Sequence, residues 1–191
     1  AAPDPSDPAF ARNSVHVIAS ARVSLEAAAR KAEELGVPAV ILSDAIEGDA
    51  RDIGRMHAAI ARQVKARGQP FSPPVVILSG GETTVTISGD RFGKGGRNSE
   101  LLLSLSLDIE GADGIFALAA DTDGIDGSED NAGAFADGTT AARIRAGGGD
   151  PRALLAGHDA WTAFSLADSL FVPGPTGTNV NDFRAILVTG D

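Results

Sequence analysis

Apolar residues along this chain fall into short unbroken runs, separated by longer stretches where they recur every three or four positions. The runs at 14–20 (SVHVIAS), 39–44 (AVILSD) and 74–81 (PVVILSGG) have the length of buried strands. Between the first two, Leu25, Ala28, Ala29, Ala32 and Leu35 lie on one face of a helix that Gly36 and Pro38 would end. Between the next two, Ile53, Met56, Ile60 and Val64 form a second helical stripe, with Gly68 as its stop. Strand alternating with helix over short joints predicts an α/β fold with a mostly parallel sheet sandwiched by helices.

Past residue 80 the texture changes. TTVTIS (83–88) alternates like a strand with one exposed face. RNSELLLSLSLDI (97–109) also alternates over Leu103, Leu105, Leu107 and Ile109, yet leucine favours helices and no β-branched residue precedes Ile109. Its length also favours a helix, with Asn98 or Ser99 as its expected cap. GIFALAA (114–120) and RAILVTG (184–190) read as further strands, and 139–167 as helical in pieces. Glycine-rich loops at 80–96, 121–133 and 173–182 are the natural places for function.

Composition narrows the classes. The 191 residues amount to one domain or about one and a half. A net charge of −10 argues against nucleic acid or an anionic membrane as partner. There is no cysteine, which removes disulfides, thiolate metal sites and a cysteine nucleophile. No apolar run is long enough to span a membrane. The start, AAPDPSDPAF, does not read as a signal peptide and lacks an initiator Met, so the sequence is expected to be a fragment or a processed product.

Against the acidic balance, GDRFGKGGRNSE (89–100) gathers Arg91, Lys94 and Arg97 among Gly89, Gly93, Gly95 and Gly96. Placed between a strand and a helix, its backbone N–H groups, the helix dipole and the basic side chains make a cradle for phosphate or carboxylate. The other reading is a solvated turn. No Walker A loop fits, because Gly89 and Gly93 enclose three residues rather than four and Gly95 stands where Ser or Thr belongs. A dinucleotide fingerprint would need glycine at Asn98.

ADTDGIDGSEDNAG (120–133) carries Asp121, Asp123, Asp126, Glu129 and Asp130 at the end of a strand, where carboxylates can hold Mg²⁺ or act as a general base. Calcium-loop spacing fails at Ile125 and Gly127, and Asp-Gly pairs also make plain turns. GPTGTNVND (174–182) offers Thr176, Thr178, Asn179, Asn181 and Asp182 to a hydroxylated substrate, or to its own backbone. His16, His57 and His158 share no metal-ligand spacing.

Four stretches occur in one order: GGETTVT, GKGGRNSE, DTDGIDGSEDNAGA and GPTGTNVNDF. Together they closely resemble the C-terminal half of the class II glycerate kinases, the MOFRL domain, over about residues 74–190. The resemblance implies that residues 1–73 close a Rossmann-like first domain and that 74–191 form the MOFRL domain. It implies ATP-dependent phosphorylation of the D-glycerate 2-hydroxyl with Mg²⁺ or another divalent metal, in the cytoplasm. The site would lie in a cleft against the upstream domain of the same parent chain, and a homo-oligomer is left open. On the same ground Arg97, Asp121 and Asp123 are the catalytic candidates. Glu82, Lys94, Gly95, Gly96, Asn98, Thr178, Asn179, Asn181 and Asp182 are candidates for binding phosphate or substrate, and Asp123 and Asp126 for metal. Some members are labelled hydroxypyruvate reductase, and a non-catalytic regulatory or interaction domain is the rival from another class.

Overall fold

The computed structural model describes residues 4, 7–14, 16, 18–87 and 92–190. Helix α1 (Ala21–Glu34) opens on Ser20, whose hydroxyl accepts from the Val23 N–H at 3.2 Å. Strand β1 (Ala39–Asp49) runs into α2 (Ala50–Arg67), which Asp49 caps and Gly68 ends with φ +61°. Then come β2 (Val75–Thr84), α3 (Arg97–Asp108), β3 (Ile115–Asp121) and β4 (Gly133–Asp137). Three short helices, α4 (Thr140–Ala146), α5 (Pro151–Ala156) and α6 (Ala160–Leu166), precede β5 (Leu170–Phe171) and β6 (Asp182–Val188). No described helix is long and apolar enough to cross a membrane.

The six strands form one sheet in the order β1-β2-β6-β3-β4-β5. The α/β class holds, but the sheet is mixed rather than mostly parallel. Only β1 and β2 pair parallel, across the crossover helix α2; the other four pairings are antiparallel. β2 and β3 point the same way, with β6 inserted between them in the opposite sense. Its register sets Asp182 against both Gly81 and Asp121, so the ends of β2 and β3 and the start of β6 meet at one edge of the sheet.

Helices cover both faces. Ser79 on β2 bonds His57 of α2, while the next residue, Gly80, lies under Leu25 and Ala21 of α1. Successive strand residues face opposite ways, so α1 and α2 flank the sheet from opposite sides. α3 is central: every residue from Asn98 to Ser106 is buried. A helix buried all round has no polar stripe, which is why its leucines mimic strand alternation. Leu101, Leu103 and Leu105 join Val75, Ile77, Ile115, Ile186 and Phe164 in the main core.

Several local expectations change. The strand expected at 14–20 does not form at its described residues: Ile18 is 92% exposed and Ser20 caps α1. Val15 and Val17 lie outside the described residues. The strand expected at 83–88 is not a separate element. Thr83 and Thr84 end β2, residues 85–87 are irregular, and Ser88 lies outside the described residues. On α2, Ile53, Met56 and Ile60 are only half-buried. The tight face is Gly54, Ala58, Ala61 and Val64. A side chain at Gly54 would come within 2.3 Å of the Leu101 carbonyl, so small residues set the close approach of α2 to α3. His57 is a core residue between the Ile53 carbonyl and the Ser79 hydroxyl, both at 2.8 Å, and burial pushes its imidazole below the usual range.

Candidate active site

The amino end of α3 has no cap of its own. Gly96 occupies the cap position without a side chain, and Asp126 from the loop after β3 supplies the missing acceptor. Its Oδ1 accepts from the Asn98 N–H at 2.9 Å, and its Oδ2 from the Ser99 N–H at 2.8 Å and the Ser99 hydroxyl at 2.6 Å. A Cβ at Gly96 would fall 2.4 Å from that carboxylate, so glycine is required for the loop to dock. Burial pushes the Asp126 carboxyl up from its ordinary value, while the bonds from Ser99 and Asn98 pull it down.

Arg97, the first residue of α3, reaches to the sheet edge. Its Nε donates to Asp182 at 2.7 Å, Nη2 to Asp121 at 2.8 Å and Nη1 to Glu82 at 3.0 Å. β2, β3 and β6 each contribute one carboxylate to this clamp. Asp182 is fully buried and also accepts from Arg184 at 2.6 Å, Asn98 at 2.9 Å and the Thr83 N–H at 3.2 Å. Burial works against the Arg97 charge, but Asp182, Asp121 and Glu82 outweigh it and raise its proton affinity. Asp121 is pushed up to about 6: burial is the main cause, and Asp123 and Asp182 add to it, against the Asp123 N–H and Arg97.

Arg97 and Asp121 open onto a cavity of about 590 Å³, lined also by Gly95, Gly96, Asp126, Thr83 and Thr84. Three of the five guanidinium N–H groups are committed to the clamp, and Arg97 remains about a quarter exposed. Glu82 is a clamp residue, half exposed. Asn98 is buried, its amide shared between Asp126 and Asp182, and serves the frame of the site. Lys94 stands 4.9 Å over the Trp161 ring and 3.4 Å from Glu129, with its N–H on Asp159. Gly89, Asp90 and Arg91 of the basic loop lie outside the described residues.

The 173–182 loop does not line this cavity. Asn179 donates to Asp123 at 3.3 Å, Asn181 carries φ +65°, and its carbonyl accepts from Thr122. Thr178 borders a separate apolar groove with Phe171 and Phe183. The loop therefore braces the Asp121–Asp123 turn. Asp123 has its Oδ1 on the Ile125 N–H, and no group of three or more acidic or histidine side chains among the described residues is arranged to hold a metal.

Two titratable cavity residues lie outside the sequence candidates, Glu100 and His158. Glu100 was readable as the same-face neighbour of Arg97, three positions on. His158 carried no spacing signal, since its partners lie 58 and 107 residues away.

Residues 75–182 match the profile of the MOFRL family. A protein of Agrobacterium vitis named as a candidate hydroxypyruvate reductase is 52% identical over 91% of this chain and 45% of its own length. The glycerate 2-kinase of Pyrococcus horikoshii is 44% identical over 91% of this chain and 39% of its own. The crystal structure of glycerate kinase from Thermotoga maritima superimposes with a TM-score of 0.89 at 38% identity, covering 92% of this chain and 42% of that one. The chain thus spans less than half the length of each of these three relatives.

Proposed function

The chain belongs to the MOFRL family, and from that premise we propose that it is the C-terminal part of an ATP-dependent D-glycerate 2-kinase. The reaction moves the γ-phosphoryl group of ATP to the 2-hydroxyl of D-glycerate and yields 2-phosphoglycerate and ADP. One observation carries this reading: Gly95, Gly96, Arg97 and Asp121 converge on a single cavity at the amino end of α3. Phosphoryl transfer asks of the protein mainly positioning and charge stabilisation. The glycine loop and the two uncommitted N–H groups of Arg97 meet anionic oxygens of phosphate or of the glycerate carboxylate. Asp121, with its proton affinity near neutrality, takes the proton of the attacking 2-hydroxyl as that oxygen bonds to phosphorus and the ADP oxygen departs. Lys94 adds positive charge beside the glycine loop.

Divalent metal accompanies ATP in this chemistry. The described residues of this chain do not fit a metal site of their own. Both Asp126 oxygens are spent on α3, and Asp121 and Asp182 are engaged by arginines. Asp123 also has both oxygens engaged, by the Ile125 N–H and the Asn179 amide, but it is only half-buried and is the candidate for contact with a metal that phosphates bring in.

In this proposal residues 1–73 close the first domain and 74–191 are the MOFRL domain. The upstream part of the parent chain supplies the facing wall of the cleft. The 191-residue chain alone is expected to fold and to show no turnover. Incubating the full-length protein with D-glycerate and ATP should give 2-phosphoglycerate. Oxidation of NAD(P)H with hydroxypyruvate, without phosphoryl transfer, would replace this reading with the reductase named for the Agrobacterium relative. Robust phosphorylation by the isolated chain would remove the need for the upstream wall.

A further inference from the structure

One turn along α3 from Arg97, a second polar cluster faces the same cavity. Glu100 is 2% exposed, and its Oε1 receives Arg51 Nε at 2.6 Å and stands 2.9 Å from His158 Nδ1. Arg51 Nη2 donates to the Leu155 carbonyl and lies 2.8 Å from His158 Nδ1 and 3.4 Å from Nε2. A donor placed along the Nδ1 lone pair would stand far from Nε2. Near-equal distances to both nitrogens put the guanidinium over the ring face, where arginine stacks on aromatic rings.

That geometry fixes the tautomer. A buried carboxylate only accepts, so Nδ1 carries the proton and donates it to Glu100. Among the described residues the neighbour of Nε2 is Arg51 Nη2 at 3.4 Å, out of the ring plane, so the in-plane lone pair of this tautomer is left for a ligand. His158 is held there at φ +53°, a backbone state uncommon outside glycine and a cost that surrounding contacts must offset. It lines the cavity with Glu100 and Arg97.

We propose that His158 Nε2 accepts a hydrogen bond from a non-reacting hydroxyl of a bound ligand, making it a specificity-determining residue of the cavity. In that tautomer Nε2 only accepts, so it repels carboxylate and phosphate oxygens and selects a neutral O–H donor. This rests on the kinase reading, under which such hydroxyls come from two sources: the 3-hydroxyl of glycerate or the ribose of the nucleotide.

The test uses the full-length protein and two ligand pairs, D-glycerate against D-lactate and ATP against its 2′- and 3′-deoxy forms. Affinities are measured by calorimetry, and kcat/KM where turnover occurs. In the unaltered protein, removing the recognised hydroxyl should weaken binding about 10-fold, because it leaves the acceptor unpaired. His158→Gly keeps the left-handed backbone and removes the ring, and should bring that ratio to within about twofold. His158→Asn, which also tolerates this backbone, serves if the glycine variant unfolds. A purely structural His158 would lower thermal stability, or weaken both members of a pair equally, and leave every ratio unchanged; that result overturns the proposal. Failure of the kinase reading shows separately, as absent phosphorylation in the unaltered protein, and the calorimetric ratios still decide the role of His158.

Discussion

Two charge clusters sit one helical turn apart on α3 and are built in opposite senses. Around Arg97 a cation is outnumbered by Glu82, Asp121 and Asp182. Around Glu100 a carboxylate is flanked by Arg51 and His158. The first arrangement leaves a carboxyl with a raised proton affinity facing the cavity; the second spends its carboxylate on orienting an imidazole. In the two proposals the Arg97 cluster presents the proton acceptor, Asp121, and the Glu100 cluster the hydroxyl acceptor, His158. Which role a titratable residue takes depends on how many opposite charges it must share.

Removing the shared anchor should break the first cluster most severely. Asp182→Ala strands Arg184, a fully buried guanidinium, and frees Arg97. Stability should fall by about 3–5 kcal/mol, read by urea unfolding, because one member of a buried pair is left uncompensated. A loss under about 1 kcal/mol would mean that Arg184 finds other partners.

Arg97→Ala comes next. Turnover of the full-length protein should fall about 10²–10³-fold for loss of a preorganised donor. Stability should fall as well, because three carboxylates lose their common partner. Arg97→Lys keeps the charge but not the fork that reaches three oxygens, so it should recover only part of either loss. Near-normal turnover with a large drop in melting temperature would make Arg97 a tie between strands and nothing more.

The smallest effect is the pH dependence of Asp121. Its folded pKa of about 6 lies above the ordinary aspartate value of 3.8. The folded state therefore binds this proton more tightly than the unfolded chain. Its contribution to stability is fully present below the unfolded value and is lost as pH rises through about 6. Asp121→Asn should flatten the stability profile between about pH 4 and 6 relative to the unaltered chain, measured by urea midpoints across that window. Parallel profiles would show that Arg97 neutralises Asp121 more completely than the crowding suggests.

Much of the site was legible in the sequence as location and little of it as role. The three loops could be marked because glycine, aspartate and asparagine punctuate strand ends in a recognisable way. α3 could be read as a helix from leucine preference and length, despite its alternation. The clamp could not be read, because Arg97 meets Asp121 and Asp182 across 24 and 85 residues of sequence. Asp126 looked like a metal ligand because a carboxylate in an acidic loop gives no sign that its oxygens are pledged to a helix end. β4 was missed because GAFAD is short and starts on glycine. The parallel sheet was over-extended because nothing in RAILVTG tells that β6 inserts between β2 and β3 in the reverse sense.

The cap that Asp126 provides has a consequence for how the molecule breathes. α3 does not own its first turn: the acceptor for its Asn98 and Ser99 amides arrives from a loop 28 and 27 residues later in the chain. Those amide protons exchange with solvent only as often as that loop swings away. Each such opening also removes Asp126 from the cavity wall and releases the glycine turn against which it docks. Hydrogen exchange at two backbone positions is therefore a clock for assembly of the whole site.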